Sequence, residues 1–347
     1  MRRLLIALLT SSLTLSALPA LAQDKVLNIY SARHYPTDEA LYSDFTKATG
    51  IKINRVDADD AGILARLKAE GAASPADVIL LVDASRLWRA EVDGLFLPVH
   101  SKALEEAIPA HLRAKSSESG TPWFGLSTRA RVVVFDKLKH SKADLDSYEK
   151  LADPKFKGQF CVRSGSHPYN LSLFGAMVEH LGPQKTEAWL KGLVDNMARS
   201  PKGGDTDQIK AVAAGECGFA LTNTYYLARL MRSNNPADKA VTERIGVVFP
   251  NQSSWGTHVN IAGGAVARHA KNVDNAVKFL EYLASPSAQN HFANGNNEWP
   301  AAKGVVFDNP ALKAMTGGSF KSEVIPISAV GMNQIKVQQM LDRVGFK

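Results

Sequence analysis

Beyond its first 22 residues the chain has no apolar run long enough to be a transmembrane candidate. It has no block of like charge either. Lysine and arginine are interspersed with aspartate and glutamate, which excludes a nucleic-acid groove. Low-complexity tracts, flexible linkers and internal repeats are missing, and cysteine occurs only twice, at Cys161 and Cys217. What remains, with 45% hydrophobic and 22% charged residues, is the composition of a soluble globular protein. A length of 347 residues suggests two domains, or one large α/β domain with two lobes.

The N-terminus stands apart from this composition. Arg2 and Arg3 form a basic start, Leu4 to Leu15 is an apolar stretch too short to span a bilayer comfortably, and Ala20-Leu21-Ala22 offers signal peptidase its small-x-small pattern. Residues 1–22 therefore read as a signal peptide for the general secretory route rather than as a membrane anchor. The expected mature chain starts near Gln23 and is soluble in the periplasm; with no cysteine at the cleavage point, lipid attachment is not expected. Losing Arg2 and Arg3 lowers the formal charge from +7 to +5, a mild excess that scattered solvated side chains account for. In an exported protein the two cysteines read as one disulfide, worth roughly 4 kcal/mol in the chain-entropy model. A thiol nucleophile is the alternative, but neither cysteine lies in a motif for one.

Along the chain, apolar β-branched runs alternate with amphipathic ones. "KVLNIYSA", "IKINRVDA" and "ADVILLVD" read as strands. Between and after them "PTDEALYSDFTKATG", "AGILARLKAEG" and "ASRLWRAEVDG" read as helices, the first capped by Thr37 or Asp38 and stopped by Gly50. This alternation predicts a mostly parallel wound sheet. A second lobe is expected near "RARVVVFD", with "GQFCVRSG" and "CGFALTN" as strands and "NLSLFGAMVEHLG", "TEAWLKGLVDNMARS", "TDQIKAVAAGE" and "YYLARLMRSN" as helices. "RIGVVFP" and "NIAGGAVARH" are strands able to return the chain to the first lobe. "VDNAVKFLEYLAS" and "PSAQNHFAN" read as helices before the amphipathic tail "AVGMNQIKVQQMLDRVGF". The lobes predicted are 23–127 plus about 255–302, and 128–254 plus about 303–347. A cleft between them is the expected ligand site.

Three strand-to-helix junctions carry tyrosine: "SARHYPTDE" with His34 and Tyr35, "RSGSHPYNLS" with Tyr169, and "TNTYYLAR" with Tyr225 and Tyr226. Ligands of open α/β sheets bind beyond the carboxyl ends of strands, where such junctions lie. Four of the eight tyrosines fall there, more than core packing alone suggests. Phenol has a pKa near 10, so several phenolates together need a strong positive charge. Ferric iron, a hard trivalent cation, supplies it, and helix N-termini add to it. Zinc prefers Cys and His, and calcium prefers carboxylates and carbonyls, in which the junctions are poor. Stacking walls for a sugar or peptide fit the same tyrosines equally well.

The segments "IYSARHY", "SPADVILLVDASRLWRA", "WFGLSTRARVVV", "CVRSGSHPYNLSLF", "GGDTDQIKAVAAGE" and "TNTYYLARL" resemble the periplasmic ferric-iron-binding proteins of iron(III) uptake ABC transporters, in the branch of the cyanobacterial iron-deficiency proteins. The resemblance runs from about residue 25 to the end of the chain. It implies a two-lobed α/β periplasmic binding fold of type II kind, its lobes joined by crossing strands around a central cleft. It also implies a monomer that binds one Fe³⁺ and delivers it to an ABC permease of the inner membrane, without enzymatic chemistry. Tyr169, Tyr225 and Tyr226 match the phenolates most widely shared in that family, and Tyr35 matches a fourth of one branch. His34 matches a ligand of some members, and Arg33 an arginine that holds carbonate in others. The resemblance therefore leaves the shell to be completed by His34, by carbonate as a synergistic anion, or by water. Arg33, Arg129 and Arg229 are candidates to balance the charge of four phenolates. The cysteine pair also occurs in relatives, which favours a Cys161–Cys217 bridge.

Two rival functions remain at this stage. A binding protein of the same architecture would take an organic or oxyanion solute. An exported hydrolase would use Ser166 and His167, although "RSGSHP" lacks the nucleophile elbow and no acid partner is indicated. Asp205 in "GGDTDQ" reads as a helix cap, and Trp299 in "NGNNEWP" as a packing residue.

Overall fold

The computed structural model describes residues 25–33 and 35–347. The expectations for the signal peptide and for His34 lie outside the described residues. The first half of the chain winds as the alternation predicts: β1 (Val26–Ser31), α1 (Asp38–Thr49), β2 (Lys52–Asp57), α2 (Asp60–Glu70), β3 (Val78–Leu81) and α3 (Ala84–Val92). β1 lies between β2 and β3, parallel to both. Gly50 stops α1 in a left-handed conformation that costs glycine little. Thr37 is the residue before α1 but makes no side-chain cap, and the Asp38 carboxylate turns instead to Arg33.

β4 (Phe96–Leu97) and α4 (Lys102–Ala107) lead to β5 (Phe124–Asp136), a strand of 13 residues that are all buried. It starts before the expected "RARVVVFD" and absorbs "FGLST", which reads as turn-rich in sequence. After β5 come β6 (Phe160–Cys161), α5 (Pro168–Leu181), α6 (Pro183–Asp195), α7 (Asp205–Ala213), β7 (Phe219–Asn223), α8 (Thr224–Met231), α9 (Pro236–Arg244) and β8 (Ile245–Val248). The chain finishes with β9 (Val259–Ala267), α10 (Val273–Leu283), α11 (Pro286–Asn296), β10 (Trp299–Pro300), α12 (Pro310–Thr316), α13 (Ile327–Met332) and α14 (Gln334–Val344).

The main strand order is β2-β1-β3-β9-β5-β7-β6. The mostly parallel sheet expected from sequence is not what forms. Three of the nine strand pairings among the described residues are parallel and six are antiparallel. Half of the antiparallel pairings come from β9, which inserts between β3 and β5 and also pairs with β4; the rest are those of β5 with β7, β8 and β10. A strand buried on both faces reads as a plain apolar run, and such a run carries no direction. β5 serves both lobes: Phe124 to Ala130 pair with β9, and Arg131 to Asp136 with β7 and β8. β8 thus stays in the second lobe and does not return the chain to the first. "GQFCVRSG" also contributes only Phe160 and Cys161 to the ladder, because the Asn170 side chain takes the carbonyls of Arg163 and Ser164.

Two apolar clusters sandwich the first lobe's strands, one around Phe45, Leu80 and Phe279 and another around Ile79, Leu87 and Ile261. Two more flank the second lobe's strands, around Phe174, Trp189 and Phe219 and around Val132, Ile209 and Leu227. The Cys161–Cys217 disulfide is formed, with Cα atoms 5.8 Å apart, and ties β6 to the segment before β7. The amphipathic tail is two helices broken at Asn333, not one. α13 packs against α3 of one lobe and α5 of the other, with Gly331 flat on the Trp88 indole and the Val330 carbonyl against Gly175.

Candidate metal centre

Each tyrosine-bearing junction leaves a strand and enters a helix, as alternation requires. Tyr169 follows Pro168, whose fixed φ suits the first turn of α5. Tyr225 and Tyr226 fall in the first turn of α8, just after β7 ends at Asn223. Tyr35 lies between β1 and α1.

The fold brings all four together. The Tyr225 hydroxyl donates to the Tyr169 hydroxyl at 3.1 Å. The Tyr225 and Tyr226 rings stand 4.3 Å apart, centroid to centroid, and Tyr35 meets Tyr225 edge-on at 5.8 Å. Tyr225 is fully enclosed, whereas Tyr35, Tyr169 and Tyr226 line a cavity of about 610 Å³ with Arg33, Arg163 and His167. Burial pushes the Tyr35, Tyr169 and Tyr225 phenols above their ordinary 10.0, and neighbouring Glu298 (at Tyr35) and phenols push them further. Without a cation these groups are neutral phenols, and a hard, multiply charged ion is what would draw off their protons. Among the described residues no group of three His, Cys, Asp or Glu side chains is arranged to hold a metal. Asp38, Glu39, Asp57, Asp59 and Asp60 also line the cavity, but the oxygen donors that converge on one another are the phenols.

Positive charge surrounds the cluster. Arg129 and Arg163 lie 5.5 and 5.1 Å from the Tyr169 ring centre, Arg33 lies 5.1 Å from that of Tyr35, and Arg229 lies 5.6 Å from that of Tyr226. Arg229 is on an exposed face, whereas Arg33 and Arg129 are buried. Arg33 grips Asp38 through Nε at 2.5 Å and Nη2 at 3.2 Å. Burial alone would lower its pKa, but Asp38 and Glu298 raise it above the usual arginine value. Arg129 gives Nη2 to the Val82 carbonyl, and its Nε and Nη1 have no hydrogen-bond partner among the described residues. Arg33 Nη1 is in the same condition.

Sequence reasoning missed the network beneath the phenols. Asp205 is not the cap of α7; that role falls to Asp207, which accepts from the Gly204 backbone at 2.7 Å. The Asp205 carboxylate instead receives Arg131 at 2.6 Å, Arg163 at 3.3 Å and the Asn223 backbone N–H at 2.7 Å. Arg131 reaches Asn170 at 2.8 Å and Asn223 at 3.2 Å, so one buried ion pair fixes the residues flanking both Tyr169 and Tyr225. A charged residue in the middle of "TRARVVV" was the available signal. Glu298 was missed as well: it accepts from the Tyr35 hydroxyl at 3.1 Å.

The residues proposed for hydrolysis are otherwise engaged. Ser166 pairs with Ser164 at 3.0 Å, and His167 uses Nδ1 to accept from the Tyr169 backbone at 3.3 Å. Burial, with Arg163 and other arginines nearby, pushes the His167 pKa down to about 3. Trp299 packs, meeting the rings of Phe249 and Phe320.

A two-lobed α/β fold with a cleft at its strand ends is the architecture of a solute-binding protein, and residues 40–316 match the family model of the bacterial extracellular solute-binding proteins. The chain belongs to that family, in its branch of periplasmic ferric-iron-binding proteins. It is 45% identical over 326 residues to iron uptake protein A1 of Synechocystis sp., covering 94% of this chain and 88% of that one. The major ferric iron-binding protein of Neisseria meningitidis is 31% identical over 301 residues, covering 86% and 87%. A Trichodesmium protein (IdiA, FutA) solved with iron and citrate ligands superposes with a TM-score of 0.86 at 48% identity, covering 93% of this chain and all of that one.

Proposed function

We propose that this protein captures Fe³⁺ in the cleft between its lobes, through phenolates of Tyr35, Tyr169, Tyr225 and Tyr226, and delivers it to an ABC permease of the inner membrane. The observation that carries the reading is the convergence of four tyrosines from three junctions, two of them with hydroxyls 3.1 Å apart. The lobes are 23–127 plus about 255–302 and 128–254 plus about 303–347, so Tyr35 comes from one and the other three from the second. Closure joins the two sets; opening exposes the ion and lets protons compete for the phenolates. The protein works as a soluble periplasmic monomer after cleavage near Ala22 and carries out no covalent chemistry. Four phenolates on Fe³⁺ leave one net negative charge, which Arg33, Arg129 and Arg229 offset. The unpartnered N–H groups of Arg33 and Arg129 suit an anion such as carbonate in the shell, with His34 or water as the other candidates.

Adding ferric citrate to the metal-free protein tests this directly. Phenolate-to-iron charge transfer gives a coloured species, and Tyr225→Phe with Tyr226→Phe abolishes it. A colourless protein without tight iron retention would sink the reading.

A further inference from the structure

A second cavity of about 610 Å³ opens beside the far part of α3 and shares no lining residue with the iron cleft. Its walls come from α3, from the chain between 110 and 116, and from the stretch that leads into α13. Two indoles, Trp88 and Trp123, line it. Val92 and Val324 line it too and stay largely exposed, at 59% and 78%. Apolar side chains gathered around an open cavity mark a surface that receives something. The free charge on the walls is positive. Arg113 gives Nη1 to Ser116 at 2.6 Å, its Nε is buried without a partner among the described residues, and Lys115 is exposed. Glu91, the one carboxylate in the lining among the described residues, is taken by the Trp123 N–H at 2.7 Å. His111 and Ile325 also line an adjoining cavity of about 40 Å³, and His258 lies on it. His258 is 2% exposed; its Nδ1 is engaged with Glu323, and its Nε2 has no partner among the described residues. A buried ring nitrogen left unpaired is uncommon and calls for a polar group nearby.

We propose that the two adjoining cavities form a second ligand site, separate from the iron cleft, for an aromatic acid that also carries a hydroxyl. The indoles offer apolar and π surface to a flat ring system. Arg113 and Lys115 receive its carboxylate, and the buried Nε of Arg113 donates where charged hydrogen bonds are strong. The hydroxyl answers His258. It donates to Nε2 when that nitrogen is bare and accepts from it when it carries a proton, so it pairs the ring in either state. An aliphatic acid would leave the indoles without a stacking partner, and an uncharged aromatic would leave Arg113 without an acceptor. The residues common to both cavities are His111, which is exposed, and Ile325, which is half-buried, so the partition consists of side chains with room to move. The inference does not depend on the phenols being iron ligands.

The test titrates 6-hydroxy-2-naphthoate into the mature protein and follows binding by calorimetry, with 2-naphthoate and 2-naphthol as probes that each lack one polar end. The full probe is expected to bind once per chain with a Kd on the order of 100 µM, ordinary for a ligand of its size. Losing the hydroxyl leaves Nε2 unpaired and should weaken binding about tenfold. Losing the carboxylate should weaken it by about tenfold or more. H258N is expected to bind the full probe and 2-naphthoate alike. R113A/K115A should bind the full probe about tenfold more weakly and 2-naphthol as wild type does. Should H258N fail to fold, ¹⁵N-histidine spectra of wild type serve instead: the His258 Nε2 resonance should move further with the full probe than with 2-naphthoate. Wild-type affinity in Y225F/Y226F and in the iron-loaded protein is expected, since no lining residue is shared with the cleft. Failure of the full probe to bind, or equal binding of all three probes, would overturn the proposal. Loss of binding in Y225F/Y226F or on iron loading would put the probe in the iron cleft and overturn it too, leaving the reading of the phenols untouched.

Discussion

Replacing Asp205 by Asn tests whether the ion pair under the phenols holds the site. The carboxylate is fully buried and receives Arg131, Arg163 and the Asn223 backbone N–H. Arg131 is 2% exposed, and its Nε has no partner among the described residues, so it has little to fall back on. Removing one member of such a pair leaves an uncompensated buried charge and costs about 3–5 kcal/mol. Arg163 is less buried and adds little to that. A total near 4 kcal/mol is a large share of the ~5–15 kcal/mol that keeps a domain folded. The assay is urea unfolding of the metal-free protein, together with the rate of iron loss to EDTA from the folded protein. D205N is expected to lower the unfolding free energy by that amount and to speed iron loss, because the Asn223 N–H at the start of α8 loses a charged acceptor. The pair D205L/R131M, which removes both charges, should recover much of the stability but not the iron retention. A D205N protein within 1 kcal/mol of wild type, or a double variant no better than the single, would refute the reasoning.

Three further outcomes are expected. Replacing both Cys161 and Cys217 by Ser frees a loop with a sequence separation of 56 and should cost roughly 4 kcal/mol in urea unfolding; an unchanged midpoint counts against the bridge as a stabilising element. Burial raises the Glu323 pKa, but His258 and His180 bring it down from 4.5 to about 2. The stability it contributes is therefore complete above pH 4.5 and is lost as pH falls towards 2, on the order of 3 kcal/mol, a loss that H258Q should largely remove. G331A would place its Cβ 2.5 Å from the Trp88 indole, so it should lower stability by about 1–3 kcal/mol in thermal melts, and an unaltered melting temperature would mean that α13 moves freely away from α3.

How much of this was legible depended on how each residue announces itself. Tyr35, Tyr169, Tyr225 and Tyr226 could be read because they stand where a strand pattern gives way to a helix pattern, and that boundary has a known relation to a cleft. The helices of the first lobe were legible for similar local reasons, Gly50 and Gly71 marking ends that glycine marks well. β9 was seen as a strand, but its antiparallel insertion was not, since Ile261 to Ala267 look the same read in either direction. α9 was not read at all: "PADKAVTER" has no buried residue and so no apolar face. Arg131, Asp205 and Glu298 were invisible as a group because a charged residue normally means solvent. Only the fold reveals that residues 74 positions apart neutralise each other in the interior.

The placing of β9 also fixes an order of assembly. Val78 to Leu81 and Phe124 to Ala130 do not pair with each other; both wait for Val259 to Ala267 to fill the space between them. Roughly three-quarters of the chain must therefore exist before the sheet of the first lobe can close. Contacts this distant in sequence make for slow folding, since the loop must be closed before any pairing rewards it. As the chain is synthesised, its early part stays open until its late part arrives, and the lobe begun first is closed by a strand made about three-quarters of the way along.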